Sequence, residues 1–535
     1  MKSKLWIVGF FICIIAPLAI VASWVIRIDP YFHYHKPNTS GYMYSLYNQR
    51  SQNDGISRNF DYEGLITGTS MTENFKTTEA ESIFGCSFIK VPYSGGTYKE
   101  MNDNLKVALA HNPDLKIIIR GLDMGKFIED KDAMREDLGK YPTYLYNENP
   151  LDDVQYIFNR DVIFKTVYGM AIANDEEGFS PGITPFDAYS NWMASYTFGV
   201  NSPTLFPNGI PTTNKSVTQV DLTEDEKELV IGNVRQNVVS LAEANPDVTI
   251  YYFFTPYSAA WWQGLINAGT FNKQIEAEQI EIEEILKVDN IKLYSFNNLT
   301  EITTDLNNYK DSPHYAEWVN SLMLRYMKDE KYLLTQQNYK EYLQQEKEFY
   351  WTFDYDSCFN TQEDYEQDYY SAALLNEEIN GVKPFEISQT IIEESEMQNA
   401  TIVENQHNGS LGISCKGTLS RESGSEISVP DFIKQNNEFN GIRVSIDDIS
   451  DYKYLVCYGK KITNHGQPSI YIYDEEGKVV GQVTAAYPDL DEEWHQYLIN
   501  VSSLKGKVEI VFHGGYVDST GSAESEFVFS DIKLY

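Results

Sequence analysis

The first stretch able to do chemistry is Gly68-Thr69-Ser70-Met71-Thr72-Glu73-Asn74-Phe75, directly after an apolar run. A serine at a strand-to-helix junction exposes its hydroxyl. The N–H groups of the turn then point at the oxyanion that forms when it attacks a carbonyl. The same residues also suit an ordinary turn and helix N-cap. A serine nucleophile needs a base, and the chain holds only eight histidines. His33 and His35 adjoin an apolar N-terminal segment, and His111 ends a helical stretch before Asn-Pro. His407, His465, His495 and His513 belong to a strand-rich C-terminal region. His314 remains, within Tyr309-Lys310-Asp311-Ser312-Pro313-His314-Tyr315. Asp311, three residues ahead, is close enough to orient the imidazole and stabilise its charged form; a capping aspartate beside a surface histidine is the other reading of such a pair. A third stretch, Val91-Pro92-Tyr93-Ser94-Gly95-Gly96-Thr97, again follows an apolar run. Its glycines let a backbone N–H approach a reacting carbonyl, so Gly95 or Gly96 can supply a second oxyanion donor.

These residues need a frame that brings strand ends together. YEGLITGTS, FIKVPYSGG, LKIIIRGLD, VTIYYFFTPYS and NIKLYSF read as five short buried strands. Helical patterns such as YKEMNDNLKVALAHNPD lie between them. Strands alternating with amphipathic helices predict an α/β fold, a three-layer, doubly wound parallel sheet covered on both faces. Ligands of such sheets sit beyond the carboxyl ends of the strands, where all three stretches fall. Thr255, Tyr257, Trp261 and Trp262 follow the fourth strand and are candidates for pocket wall or for core. Residues from about 130 to 220 interrupt the alternation and are too long for a simple connection. They read as a lid, a subdomain, a partner surface or a plain structural excursion. Residues 329–381, rich in Gln, Glu, Tyr and Asp, read as a helical and acidic linker. From 382 to 535, short period-two strands split by turns predict an all-β sandwich.

Leu5 to Ile26 carries no charge over 22 residues, a helix of roughly 33 Å, enough to cross a bilayer core. Lys2 and Lys4 before it favour a single-pass anchor over residues 1–30 with the bulk of the chain, from residue 31 on, outside the cell. The formal charge of −36 excludes sequence-independent nucleic-acid binding, which needs a basic footprint. The five cysteines lack metal-ligand spacing, so no zinc site is expected, and acyl transfer through a serine needs no metal or organic cofactor.

The order of serine motif, glycine block and late DxxH, each at a strand end, resembles the SGNH (GDSL-like) hydrolase superfamily over about residues 60 to 328. With the anchor, it is most similar to the extracytoplasmic branch that includes the D-alanyl transfer protein and the alginate-type O-acetyltransferases. That resemblance implies Ser70 as nucleophile, His314 as general base and then acid, Asp311 as its orienter, and Gly95 or Gly96 beside the Ser70 N–H as oxyanion donors. Many members carry an oxyanion asparagine after the third strand. This chain has Arg120-Gly121-Leu122-Asp123-Met124 there, and an ionised Asp123 would repel an oxyanion unless it is turned away, protonated or used otherwise. The C-terminal region resembles galactose-binding-like jelly rolls found as carbohydrate-binding modules. Together these imply transfer of an acetyl or D-alanyl group to or from a cell-envelope polysaccharide or teichoic-type polymer, with a multi-spanning membrane protein as possible acyl donor. A carbohydrate esterase, or a silent glycan-binding scaffold, is the alternative.

Overall fold

The computed structural model describes the chain except for residues 1, 174–180, 189–195, 363–382, 405, 418–419, 422–428, 464–467, 485–493, 502–503, 516 and 519–524. The chain divides into two compact units, one of Met1–Ser190, Pro211–Thr304 and Ser312–Cys358, the other of Asn191–Ile210, Asp305–Asp311 and Phe359–Tyr535.

The first unit begins with helix α1 (Lys2–Ile28). Its span Trp6–Ile28 is long and apolar enough to cross a membrane, and it is exposed. Only its last turns are covered, with Val25 and Ile28 buried among Leu145, Tyr156, Val162 and Val167. Asp29 closes the helix in a left-handed conformation, φ 46°. Its buried carboxylate accepts from the N–H groups of His33, Tyr34 and His35 and from the Tyr156 hydroxyl at 2.8 Å. Helix α2 (Gln49–Asn59) follows.

The strands expected from the apolar runs then appear in order: β1 (Gly64–Gly68), β2 (Phe88–Pro92), β3 (Ile117–Leu122), β4 (Thr249–Phe254) and β5 (Ile291–Ser295). They pair in the order β2-β1-β3-β4-β5, all parallel. A sixth strand, β6 (Leu333–Leu334), adds antiparallel to β5. The order reverses between β1 and β3, and that switch point is where two neighbouring chain crossovers diverge to leave a crevice. Helix α3 (Tyr98–His111) links β2 to β3 and starts with a Thr97–Glu100 capping box.

The long interruption after β3 has two fates. Residues 141–173 pack on the end of α1 and include the apolar helix α4 (Val162–Ala173), whereas 196–210 belong to the second unit. After β4 come α5 (Ala259–Ala268) and α6 (Phe271–Ile285), and after β5 comes α7 (Glu317–Lys328).

The stretch 329–381, expected as a helical and acidic linker, holds a helix in its first part that packs on the α/β unit. Helix α8 (Tyr339–Thr352) buries Tyr339, Leu343, Glu346 and Tyr350, a stripe at helical spacing that the polar composition masks. Trp262 stacks on Tyr350 at 4.3 Å between ring centroids. Glu346 of α8 meets Glu278 of α6 in full burial; desolvation and the neighbouring carboxyl hold Glu278 well above the usual carboxylate range, and burial pushes Glu346 up to about 7. Two carboxylates this close cannot both ionise cheaply. The acidic remainder of that stretch, 363–381, lies outside the described residues.

The second unit holds two antiparallel sheets, as the period-two strands predict. One contains Glu396–Gln398, Gly441–Ile446, Val508–His513, Ser469–Asp474 and Val479–Thr484 in that order. The other contains Ala400–Val403, Gly412–Gly417, Ser525–Leu534, Tyr454–Thr463 and His495–Asn500. Inward-facing residues of both, among them Val444, Ile472, Ile510, Cys415, Cys457 and Phe529, form one core. Cys415 and Cys457 are both free thiols.

Candidate active site

Gly68 ends β1 with φ 152°, and a Cβ there would lie 2.5 Å from Thr72 Cγ2. Only glycine allows the chain to turn this tightly, and the turn Ser70–Thr72 begins at once. Thr69 caps it: its Oγ1 accepts from the Met71 N–H at 3.4 Å, and its carbonyl accepts from Thr72 N and Thr72 Oγ1. Ser70 is left half-buried at the rim. Its Oγ lies 2.8 Å from His314 Nε2, hydrogen-bonding distance for a hydroxyl and an imidazole.

His314 reaches Ser70 because its loop is pinned on both sides. Ser258, at the start of α5, donates from its N–H and its hydroxyl to the Ser312 carbonyl at 3.0 and 2.7 Å. The Tyr315 hydroxyl and Asn320 Nδ2 both donate to the Met71 carbonyl at 3.1 Å. Residues next to the histidine therefore grip the residue next to the serine. Asp311 is half-buried three residues before His314 in the chain.

Asp123 follows β3 across the switch point. It is buried, and its carboxylate accepts from Thr69 Oγ1 at 2.5 Å and from Thr255 Oγ1 at 3.3 Å. Burial raises its carboxyl above the usual range, against the lowering effects of the Thr69 hydroxyl and the nearby His314. Of the three options for this residue, the structure takes the last. The carboxylate is used to brace Thr69, whose hydroxyl donates to Asp123 while its lone pair caps the turn that carries Ser70.

The glycine block sits differently. Gly95 adopts a left-handed conformation, φ 60°, beneath Arg135, whose Nη1 would lie 2.1 Å from a Cβ. Arg135 donates to the Ser94 carbonyl, and Ser94 donates from its hydroxyl to Glu73. Gln49 ties both ends, accepting from Ser94 N and donating to Glu73, each at 2.6 Å. Gly96 is corrected as an oxyanion donor: its N–H closes the turn onto the Tyr93 carbonyl at 2.7 Å, so it is already committed. Beneath the serine turn, the buried amine of Lys90 donates to the carbonyls of Glu73 and Phe75, and burial pushes its pKa down to about 8.

Of the residues that could be pocket wall or core, most take the core: Thr255 and Trp262 are fully buried and Tyr257 nearly so, while Trp261, edge-on to Tyr257, is half-buried. Gln49 and Ser94 also line a cavity of about 950 Å³, together with Tyr31, Tyr47, Arg50 and Lys140. Thr69, Ser258, Tyr315 and Asn320 escaped the sequence reading. Thr69 fits the turn and N-cap pattern of its stretch, but its bond to Asp123, like those of Ser258, Tyr315 and Asn320, joins distant segments that no local pattern marks.

No family model and no curated protein matches the chain. Among solved structures, one similar chain is a protein provisionally described as a platelet activating factor from Streptococcus pneumonia, at 12% identity and a TM-score of 0.28, covering 53% of this chain and 91% of that one. CsCBM6-3 from Clostridium stercorarium in complex with cellobiose matches at 12% identity and a TM-score of 0.17, over 28% of this chain and 91% of its own. A family 43 arabinoxylan arabinofuranohydrolase from Bacillus subtilis matches at 14% identity and a TM-score of 0.16, over 25% of this chain and 24% of its own. Likenesses this slight leave function to the geometry.

Proposed function

We propose that the chain is a serine-dependent acyl hydrolase or acyltransferase with Ser70 as nucleophile and His314 as base. The observation that carries this is the 2.8 Å contact between Ser70 Oγ and His314 Nε2. Ser70 attacks an acyl carbonyl while its proton passes to His314 Nε2. The leaving alcohol or amine takes that proton as the carbonyl collapses to an acyl-serine. An incoming hydroxyl then gives its proton to His314 and attacks the ester, and His314 returns that proton to Ser70 Oγ as the acyl product leaves. The Ser70 and Gly95 N–H groups are the candidate oxyanion donors, and Asp311 is the candidate orienter of the imidazole.

The acceptor decides between esterase and transferase, since water and a sugar hydroxyl enter the same step. The exposed apolar helix α1, continuous with the unit that holds Ser70, supports an enzyme anchored in the membrane and working outside it. There an acetyl or D-alanyl group passing to or from a cell-envelope polymer is the reaction that fits. Asp123, which would repel an oxyanion if it faced one, is instead hydrogen-bonded by two hydroxyls, which is compatible with catalysis at Ser70.

The test is a fluorophosphonate probe on the full chain. Labelling of the wild type that is lost in both Ser70→Ala and His314→Ala supports the reading. Equal labelling of wild type and Ser70→Ala removes it. Acyl content of the envelope polymers in a strain lacking the gene then gives the direction of transfer.

A further inference from the structure

Helix α4 (Val162–Ala173) is apolar on two sides. Its inner side, Val162, Ile163, Val167, Met170 and Ala171, packs against the end of α1. Its outer side carries Phe164, Tyr168 and Ile172, 68%, 51% and 42% exposed at a spacing of four residues, one stripe of a helix. Just before it, Leu151, Val154 and Phe158 are exposed as well. Six large apolar side chains open to solvent within one short segment mark a surface that is covered in use.

What covers it follows from where α4 touches α1. Tyr168 meets Trp24 edge-to-face at 6.4 Å between centroids, and Val21 joins the same cluster. Both residues lie inside the apolar span Trp6–Ile28. At about 1.5 Å per residue, Trp24 stands roughly 6 Å and Val21 roughly 10 Å before the end of that span. A span of 23 residues only just exceeds a hydrocarbon core of about 30 Å. Any helix packed on Val21 and Trp24 therefore lies at the depth of the lipid headgroups and outermost acyl carbons. Exposed Arg160 and Lys165, the latter paired with Asp161 at 3.2 Å, flank the stripe, as charged residues do on helices lying in that zone.

We propose that α4 is an interfacial helix whose Phe164, Tyr168 and Ile172 stripe lies in the outer leaflet of the bilayer that α1 crosses. The inference rests on α1 being a membrane anchor. It seats the unit on the membrane surface rather than above it. The 950 Å³ cavity, whose lining includes Lys165, Thr166, Gly169 and Met170 of α4, then stands at headgroup level.

The test places the photoreactive residue p-benzoylphenylalanine at position 164, 168 or 172 of the full chain in phosphatidylglycerol nanodiscs. Position 10, inside α1, is the membrane reference, and position 224, exposed at a helix start of the same unit, is the aqueous one. Lipid adducts at 164 and 172 that approach those at 10, and exceed those at 224 by about tenfold or more, are the expected result. Adducts at 10 without adducts at 164, 168 or 172 overturn the seating of α4 and leave the anchor standing. In native membranes, adducts from α4 to protein in place of lipid overturn it in favour of a membrane-embedded partner. No lipid adduct even at 10 removes the anchor, and this inference with it.

Discussion

The turns after β1 and β2 look alike in sequence: small residues after a buried strand and before a helical segment. They are built to opposite ends. In the first, hydrogen bonds converge on Thr69 and on the Met71 carbonyl, and the hydroxyl between them is left facing only the imidazole of His314. In the second, Gln49, Arg135 and Glu73 bind the backbone and side chain of Ser94 itself. A serine hydroxyl becomes available for chemistry when the neighbouring side chains and the backbone, and not that hydroxyl, carry the structural bonds. Fixing a group through its neighbours also sets its position before substrate arrives, which is what a reactive geometry requires.

The contrast can be broken at its strongest point first. Ser70→Ala and His314→Ala should each lower the rate of fluorophosphonate labelling by about 10³-fold or more, whereas Ser94→Ala should leave that rate nearly unchanged. A Ser94→Ala chain as unreactive as Ser70→Ala would show that the two turns do not divide the work.

Next in size is Asp123→Ala, which leaves Ser70 and His314 in place but releases Thr69. Labelling should slow by about 10- to 100-fold, as when an outer-shell partner is lost. Stability should fall by about 1–3 kcal/mol for the orphaned hydroxyls, read by chemical denaturation. Asp123→Asn keeps an acceptor for Thr69 and should recover most of the rate.

Gly95→Ala acts on the closed turn and should do the reverse. A left-handed backbone and the crowding by Arg135 should cost about 1–3 kcal/mol of stability. The labelling rate of the folded fraction should fall by about 10-fold or less, since alanine keeps the Gly95 N–H, a candidate oxyanion donor, and only its backbone is displaced.

The smallest effect on reactivity is expected from Glu346→Gln, in a purely structural polar contact. An acid whose folded pKa is raised holds a proton that the unfolded chain releases. The native state therefore binds more protons between the ordinary 4.5 and about 7, and stability falls as pH rises through that window. The wild type should lose stability between pH 5 and pH 8. Glu346→Gln should flatten that loss and be more stable at pH 8, by on the order of 2 kcal/mol, with labelling unaffected.

Strands announce themselves through apolar runs bounded by turn residues, and all five parallel strands stood where those runs are. Ser70 and His314 were legible because one class of chemistry needs both and few histidines compete. The pairing of Trp261 with Trp262 was not. Neighbours on a helix point about 100° apart, so only one can face the core, and the phase that buries Trp262 is set by packing against Tyr350 far along the chain. Asp123 was visible as an anomaly, but its use was not, since the threonines that satisfy it come from two other strand ends. Gly96 misled for a related reason: glycine permits a backbone N–H to be offered, and only the fold decides that the N–H is spent inside its own turn.

Asp29 has a mechanical consequence. Where α1 ends, one buried carboxylate gathers three successive N–H groups and a tyrosine from the distant segment around Tyr156. A joint of that kind has no swivel. Rotation of α1 about its own axis, or a change in its tilt, is passed on to the α/β unit as it would be by a bolted shaft. The height and compass bearing of the Ser70 hydroxyl relative to α1 are thereby held by that aspartate together with the Tyr44 hydroxyl on the Ile28 carbonyl and the packing of Val25 and Ile28.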